Sequence, residues 1–354
     1  MPSKASTLNP NIKILIDGSP IPNEAALNWI SVSVSEDIEV PSMFELRFFT
    51  WDFVTEKMTW VDRDLFEIGN EVEIQLGYED NLKTVIIGEI TGLEPEFRQE
   101  DVPVLVIRGH DLRHRLLRGN QTQSFVKMKD SDIASQIAKG RGLSVQVTDS
   151  KVKLEYVLQH NQTDWEFLRT RAQRIGYEVV IDRKILYFRP HQNAQSNALT
   201  LTYPNDLQEF LPRLSTLTQV TGVEVSGWMP MEKKAFLSKT EVGKENSKMQ
   251  GKKTGTEAVK QAFGKSSYRI VNQPVSSKAE ADAMSLGQFQ DMAISYITAE
   301  GTCIGTPELL AGKVISIQGV GERFSGYYYV TTAAHNFSLD QGYQTSFTAR
   351  RTAT

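Results

Sequence analysis

Cysteine and histidine are scarce in this sequence, and their scarcity excludes several kinds of site. The 354 residues contain one cysteine, Cys303, which can form no disulfide within the chain and cannot alone hold a structural zinc ion. We interpret it as a small buried apolar residue, with a reactive thiol as the less favoured alternative. Of the five histidines, His110 and His114 are four residues apart, but the glutamate of the HExxH zinc motif is missing between them. We predict no metal site.

Long apolar runs and an excess of basic residues are also missing. No run approaches the ~18 apolar residues of a membrane-spanning helix. Residues 1–11 are polar, so we expect no secretory signal and assembly in the cytoplasm. The net charge of -4 lacks the positive excess that a dedicated nucleic-acid binder uses against phosphates, and we expect no nucleic-acid partner. The length is sufficient for two or three domains.

Motifs for phosphate binding and nucleophilic catalysis are incomplete. The glycines of 319–326 do not have GxGxxG spacing, the FGKSS stretch at 263–267 lacks the first glycine of a P-loop, and no GxSxG occurs. The acidic pairs Asp62/Asp64 and Glu94/Glu96 leave a glycosidase open as an alternative, although solvated strand ends are the simpler interpretation. We therefore predict no enzyme and no cofactor.

What the sequence does contain is a β-region, a more helical middle and a second β-region. In residues 70–78, Val72, Ile74 and Leu76 alternate with polar residues, which is typical of a half-buried strand. We predict a first β-barrel over 1–115, an α/β middle domain over 116–204 and a second β-barrel over 205–354. The second is interrupted by an exposed insertion at about 233–298, whose Lys-rich part, 233–267, we expect to be mobile, with a helix after it.

One helix is predicted with particular clarity, in the stretch TDWEFLRTRAQRIG. Thr163 and Glu166 have the spacing of a capping box, and Gly176 lies where helices end in a left-handed residue. Apolar residues recur at spacings of three and four: Trp165, Leu168, Ala172 and Ile175. We interpret this segment as an amphipathic scaffold helix packed against a sheet.

Arginines are concentrated in two groups: Arg113, Arg115 and Arg118, and, on the predicted helix, Arg169, Arg171 and Arg174. Guanidinium groups match carboxylates and phosphates. One interpretation is that they pair with acidic residues of the same chain. The other is that they line an interface with a partner, and we name these six as candidate interface residues. For the helix group we expect ion pairs within or between subunits.

Several stretches taken together resemble the phage late control protein D family, which includes tail hub proteins and the N-terminal part of type VI secretion spikes. The resemblance lies in six segments in the family's order: 77–97, 105–125, 132–143, 159–179, 305–337 and 342–351. It implies an α+β, mainly β fold with two tube-protein-like antiparallel β-barrels flanking a helix-containing middle domain.

The resemblance also implies a function. The chain would be a structural, non-enzymatic baseplate hub of a contractile injection system or phage tail, and a homotrimer that adapts a hexameric inner tube to a threefold spike. Expected partners are further copies of the chain, the inner tube protein, a separate spike protein with an OB-fold or β-helix, and other baseplate proteins. Because the sequence stops at Thr354, after the second predicted barrel, we expect the needle to be a separate polypeptide. A cell-wall-degrading enzyme of the same machine is the alternative.

Overall fold

A computed structural model describes residues 9–194, 198–229 and 232–354. The expectation about a secretory signal concerns residues 1–11, most of which lie outside these ranges.

Antiparallel strands dominate the first part of the chain. The strands are β1 (Pro10–Ile16), β2 (Ser19–Pro20), β3 (Trp29–Asp37), β4 (Met43–Phe49), β5 (Trp51–Asp52), β6 (Lys57–Met58), β7 (Glu71–Tyr78), β8 (Asn81–Glu96) and β9 (Val104–His110). The short helix α1 (Asn23–Ala26) and a 3₁₀ helix at Asp64–Phe66 interrupt them. In β7 the predicted alternation is present up to Leu76, because Val72, Ile74 and Leu76 are buried while Glu71, Glu73 and Gln75 are half-exposed.

The middle of the chain mixes strands with helices. After a 3₁₀ helix at Leu112–Leu117 come β10 (Gln121–Lys129), α2 (Asp130–Gly140), β11 (Ser144–Val147), β12 (Lys153–Gln162), α3 (Asp164–Arg174), β13 (Tyr177–Asp182) and β14 (Ile185–Pro190). Strands β10 and β12 form a separate antiparallel ribbon, and β11, β14 and β13 form a three-stranded sheet. Both pack with α2 and α3 around one core, in which the rings of Phe125 and Phe167 stack at 5.7 Å.

The last part returns to strands. Its elements are β15 (Leu199–Thr202), β16 (Leu207–Leu214), β17 (Gly222–Met229), β18 (Lys234–Glu241), α4 (Gly255–Phe263), β19 (Ser267–Ile270), α5 (Lys278–Ile294), β20 (Ile297–Ile304), β21 (Val314–Gln318), β22 (Gly326–Ser338) and β23 (Gly342–Arg351). Buried side chains of β15, β16 and β20 to β23 form a second β-core, which includes Leu207, Tyr328 and Phe347.

A single 13-stranded sheet combines strands from both ends of the chain. Its path is β16-β20-β23-β22-β3-β4-β9-β8-β7-β1-β2, with β21 pairing β22 and β15 pairing β21. The two ends meet where β3 runs antiparallel to β22, with Val34 opposite His335 and Val32 opposite Phe337. The mainly β, α+β class is thus confirmed, and the two β-regions are joined by direct strand pairing. Closure of each into a barrel remains a prediction.

The Lys-rich stretch 233–267 differs from the mobile insertion that we expected. It contains β18, α4 and the approach to β19, and β18 and β19 flank β17 in a three-stranded sheet. Helix α5 packs on this sheet, and their shared core includes Val223, Val225 and Phe289. The apolar residues that hold the stretch come mostly from β17 and α5, so its own composition gave little sign of folding.

Candidate functional site

Helix α3 is the centre of the region in which the candidate residues lie. The Oγ1 of Thr163 accepts a hydrogen bond from the Glu166 N–H at 3.2 Å, and the Thr163 N–H donates to Oε2 of Glu166 at 3.0 Å. The carboxylate therefore serves to begin a helix, and these hydrogen bonds hold the pKa of Glu166 below its usual value. Trp165 and Leu168 are buried in the core of the middle region.

The end of α3 lies against α5 with no space between the two backbones. Gly176 has a φ of +69°, and a Cβ built on it would lie 2.7 Å from the Cα of Gly287 in α5. A Cβ on Gly287 would in turn lie 2.9 Å from the Cα of Ile175 and closer still to the nitrogen of Gly176. Gly176 thus allows both the left-handed turn and the contact that fixes α5 to the middle region.

Two arginines of α3 form ion pairs within the chain. Nε of Arg171 donates to Asp130 in α2 at 2.6 Å. Nη2 of Arg174 donates to Glu280 in α5 at 2.8 Å and to a backbone carbonyl at 2.7 Å. Arg169 donates to the backbone oxygen of Glu39 at 3.4 Å and stays partly exposed. The helix is thus connected by charged side chains to three neighbouring segments.

Arg113 is an internal connector, and its burial does not fit the interface that we predicted for it. The residue is 2% exposed. Its guanidinium donates to Asp111 at 2.7 Å, to the backbone oxygen of Asp37 at 2.6 Å and to Oγ of Ser42 at 2.6 Å, and it lies over the Trp165 ring at 5.6 Å. A guanidinium with this many internal partners joins the first β-region to α3 and is not available to another chain.

Arg115 and Arg118 belong to a second cluster, around Glu89. Nε of Arg115 donates to Glu89 at 3.0 Å, Nε2 of His114 lies 2.8 Å from the same carboxylate, and Arg118 lies 3.2 Å from Nδ1 of His114. Burial would raise the pKa of Glu89, but the Arg115 and His114 contacts outweigh it and lower that pKa. Arg118 is exposed and Arg115 partly so, so an interface at this cluster stays a prediction.

The groups considered for chemistry do not converge. Nδ1 of His110 bonds Thr91 at 2.8 Å, whereas Nε2 of His114 contacts Glu89 at 2.8 Å. Within the described ranges, no group of three or more His, Cys, Asp or Glu residues is arranged to hold a metal ion. Glu94 bonds Arg108 at 3.0 Å on the outside of the sheet. Cys303 is buried, and burial raises the pKa of its thiol to about 11.

A buried polar network that sequence reasoning missed connects the middle region to the second β-region. Glu178 on β13 bonds Nε of Arg189 at 3.0 Å and Nδ1 of His191 at 3.0 Å, and it also accepts from the hydroxyl of Tyr329 on β22. Burial would lower the pKa of His191, but the hydrogen bond and charge of Glu178 raise it overall. Little in the sequence indicates this network, because Arg189 and His191 are separated by a single proline and form no recognisable motif with Glu178.

A polar cavity of about 220 Å³ lies where the first β-region, the middle region and the second β-region meet. Glu36 faces it from β3, Asp182 and Arg183 from the β13–β14 turn, and Lys313 from the segment before β21. Oε2 of Glu36 accepts from the Ala311 N–H at 3.1 Å, and burial raises the pKa of this carboxyl to about 8.

Exposed apolar side chains form two further surfaces that the sequence analysis did not identify. One is the tip of the β5–β6 hairpin, where Phe53 is 72% and Val54 is 92% exposed. The other is an open groove of about 840 Å³ between β12 and the β17–β19 sheet. Exposed clusters of this kind commonly mark protein–protein contacts. Neither surface shows a sequence motif, because each combines residues whose exposure depends on the fold.

A family model described as "Alg8 N-terminal domain" matches residues 6–338. The chain belongs to this family. The Alg8 N-terminal domain match thus spans both β-regions and the middle region. A search of curated proteins gives no match.

Solved structures share the fold over nearly the whole chain. The 43 kDa tail protein of prophage MuSo2 from Shewanella oneidensis superposes with a TM-score of 0.71 at 14% identity, covering 97% of this chain and 98% of that one. A tail protein of Neisseria meningitidis MC58 gives 0.68 at 12% identity, covering 97% and 96%. An E. coli protein described as a component of the type VI secretion system gives 0.63 at 14% identity, covering 96% and 77%. The resemblance to tail hub and secretion spike proteins is confirmed at the level of fold.

Within the residues that the structure describes, no helix combines the length and apolar character needed to cross a membrane.

Proposed function

We propose that the chain is a structural hub subunit of a contractile injection system or phage tail. It acts as a homotrimer between a hexameric inner tube and a threefold spike. The observation that carries this proposal is the composition of the large sheet: seven of its strands come from residues 10–110 and six from residues 199–351. Three chains would supply six such halves, which is the number that a hexameric ring presents.

The joint between the two halves supports this arrangement. Seven residue pairs connect β3 to β22, so the halves are held in one fixed relation by backbone hydrogen bonds. A symmetry adaptor needs this rigidity, because each half must meet a different tube subunit at a defined angle. The division into 1–115, 116–204 and 205–354, with the insertion at 233–298, is part of the proposal. Strand β15, at the end of the middle span, joins the sheet of the second half by pairing with β21.

Partners follow from the role. They are other copies of the chain, the inner tube protein, a separate spike protein and other baseplate proteins. Assembly would occur in the cytoplasm, and the product would be part of a phage tail-like particle. The tail proteins and the type VI secretion component that share the fold support a structural role.

Reconstitution tests the proposal. The chain is mixed with the tube and spike proteins of the same gene cluster, and the complexes are imaged by electron microscopy. We expect particles in which three copies lie between a six-membered ring and a single spike. Rings and spikes that associate without the chain, or particles that contain one copy of it, would contradict the proposal.

A further inference from the structure

The β5–β6 hairpin presents apolar side chains on a shaped turn. Oδ1 of Asp52 accepts from the Val54 N–H at 2.8 Å, and Oδ2 accepts from Oγ1 of Thr55 at 2.7 Å. These bonds close the turn from within, and they hold the pKa of Asp52 below its usual value. Phe53 and Val54 are therefore exposed in a defined conformation, so binding through them would cost little conformational entropy.

The groove between β12 and the β17–β19 sheet is the complementary apolar surface. Tyr156 and Leu158 lie two residues apart on one face of β12 and are 61% and 45% exposed. Trp228 on β17 and Val271 after β19 line the same groove and are 53% and 68% exposed. Aromatic residues around a concave surface are the usual composition of an interface hot spot.

The hairpin region carries a negative excess, whereas lysines lie on the strands that border the groove. Residues 51–69, which contain the hairpin, include five acidic residues and two basic ones. The charged residues that line the groove are Arg171, Arg174, Glu155 and Glu280. Lys127, Lys153 and Lys234 lie on or next to the strands that border it. All three lysines are exposed, and within the described ranges none forms a salt bridge.

The asymmetry extends beyond these local groups. Residues 1–110 contain 20 acidic and 8 basic residues, whereas residues 111–194 contain 9 acidic and 15 basic ones. Two copies of the chain would therefore attract each other when the first β-region of one faces the middle region of the next. Such a contact joins two different surfaces, and contacts of this heterologous kind close into a trimer when successive copies are related by a rotation of one third of a turn.

We propose that the β5–β6 hairpin of one copy inserts Phe53 and Val54 into the groove formed by Tyr156, Leu158, Trp228 and Val271 of the next copy. This inference rests on the proposed trimer and specifies the contact that holds it together. Asp52 and Glu56 would approach the lysines around the groove, which selects the orientation. Because three equivalent contacts form per trimer, each chain supplies one hairpin and one groove.

Cysteine crosslinking tests the contact directly. The chain's own Cys303 is buried, so it gives little background reaction. One chain carries Val54→Cys and a second, separately tagged chain carries Val271→Cys, and both positions are exposed enough to change without loss of folding. After mixing and oxidation we expect a disulfide-linked heterodimer. A matched pair with Leu27→Cys, at a position 86% exposed, in place of Val54→Cys should give no more than background.

A second measurement uses charge. Glu56→Lys should weaken self-association by about tenfold, and Lys153→Glu in the same chain should restore most of it if the two residues face each other. The possible outcomes distinguish failure of the hairpin–groove contact from failure of the proposed trimer. Trimers by native mass spectrometry without the 54–271 crosslink would overturn the hairpin–groove contact alone. Monomers at every concentration would overturn both the trimer and the hairpin–groove contact. Crosslinks that form only between two copies of position 54 would indicate a self-complementary interface and would overturn the hairpin–groove contact.

Discussion

Gly287 is the residue at which a single added methyl group should separate the middle region from α5. A Cβ at this position lies 2.9 Å from the Cα of Ile175 and closer still to the carbonyl carbon of Ile175 and the nitrogen of Gly176. Backbone atoms cannot move away as the end of a side chain can, so we expect the upper part of the ~1–3 kcal/mol range for overpacking. Alanine also favours a helix over glycine by about 1 kcal/mol, which acts in the opposite direction. The net loss for Gly287→Ala is therefore about 2 kcal/mol.

Thermal unfolding measures this loss. With an unfolding entropy of about 2.1 cal/mol/K per residue, a loss of about 2 kcal/mol lowers the Tm of a chain of this length by ~3 °C. The matched control is Gly140→Ala at the end of α2, where no atom lies within 4 Å of the added Cβ. We expect this control to be neutral or slightly stabilised. A Gly287→Ala protein as stable as Gly140→Ala would refute the close backbone contact of α3 and α5.

Two further predictions concern buried charges. Arg113→Met should lower the free energy of unfolding by about 3–5 kcal/mol, because it leaves the buried Asp111 without its cation. The control Arg118→Met, at an exposed position, should change the free energy of unfolding by less than about 0.5 kcal/mol. Urea denaturation of both variants measures the difference, and equal effects would contradict the internal role of Arg113. Since the folded-state pKa of His191 is raised, its stabilising effect is complete below the unfolded pKa of about 6.5 and is lost as the pH rises through the folded value. His191→Gln should therefore flatten the fall in Tm above pH 6.5, and an unchanged slope would show that the Glu178 contact is not the cause.

Local sequence signals predicted those elements whose stabilising contacts are also local. The capping box at Thr163 and Glu166 uses groups three residues apart, and α3 begins there. The alternation in 70–78 follows from one face of β7 lying on the core. Such patterns depend only on neighbours along the chain, so they can be read without knowledge of the tertiary structure.

Features that depend on distant partners could not be predicted in this way. Arg113 is buried because Ser42 and the carbonyl of Asp37, about 70 residues earlier in the chain, bind its guanidinium. In α5 the apolar Leu286 is 38% exposed, while its neighbour Ser285 is buried and bonds Thr240 of β18 at 2.8 Å. A polar residue that packs against a polar partner has no signature in a hydrophobic pattern. The folding of 233–267 and the groove beside β12 also depend on partners that are distant in the sequence, so neither could be predicted from local patterns.

Native mass spectrometry of the purified chain across a range of concentrations tests the central claim most directly. The hub account predicts a closed species at three times the chain mass of 39.8 kDa, with monomer as the only other major form at low concentration. Dimers, open-ended ladders of increasing mass, or a monomer that persists when the tube and spike proteins are added would contradict it.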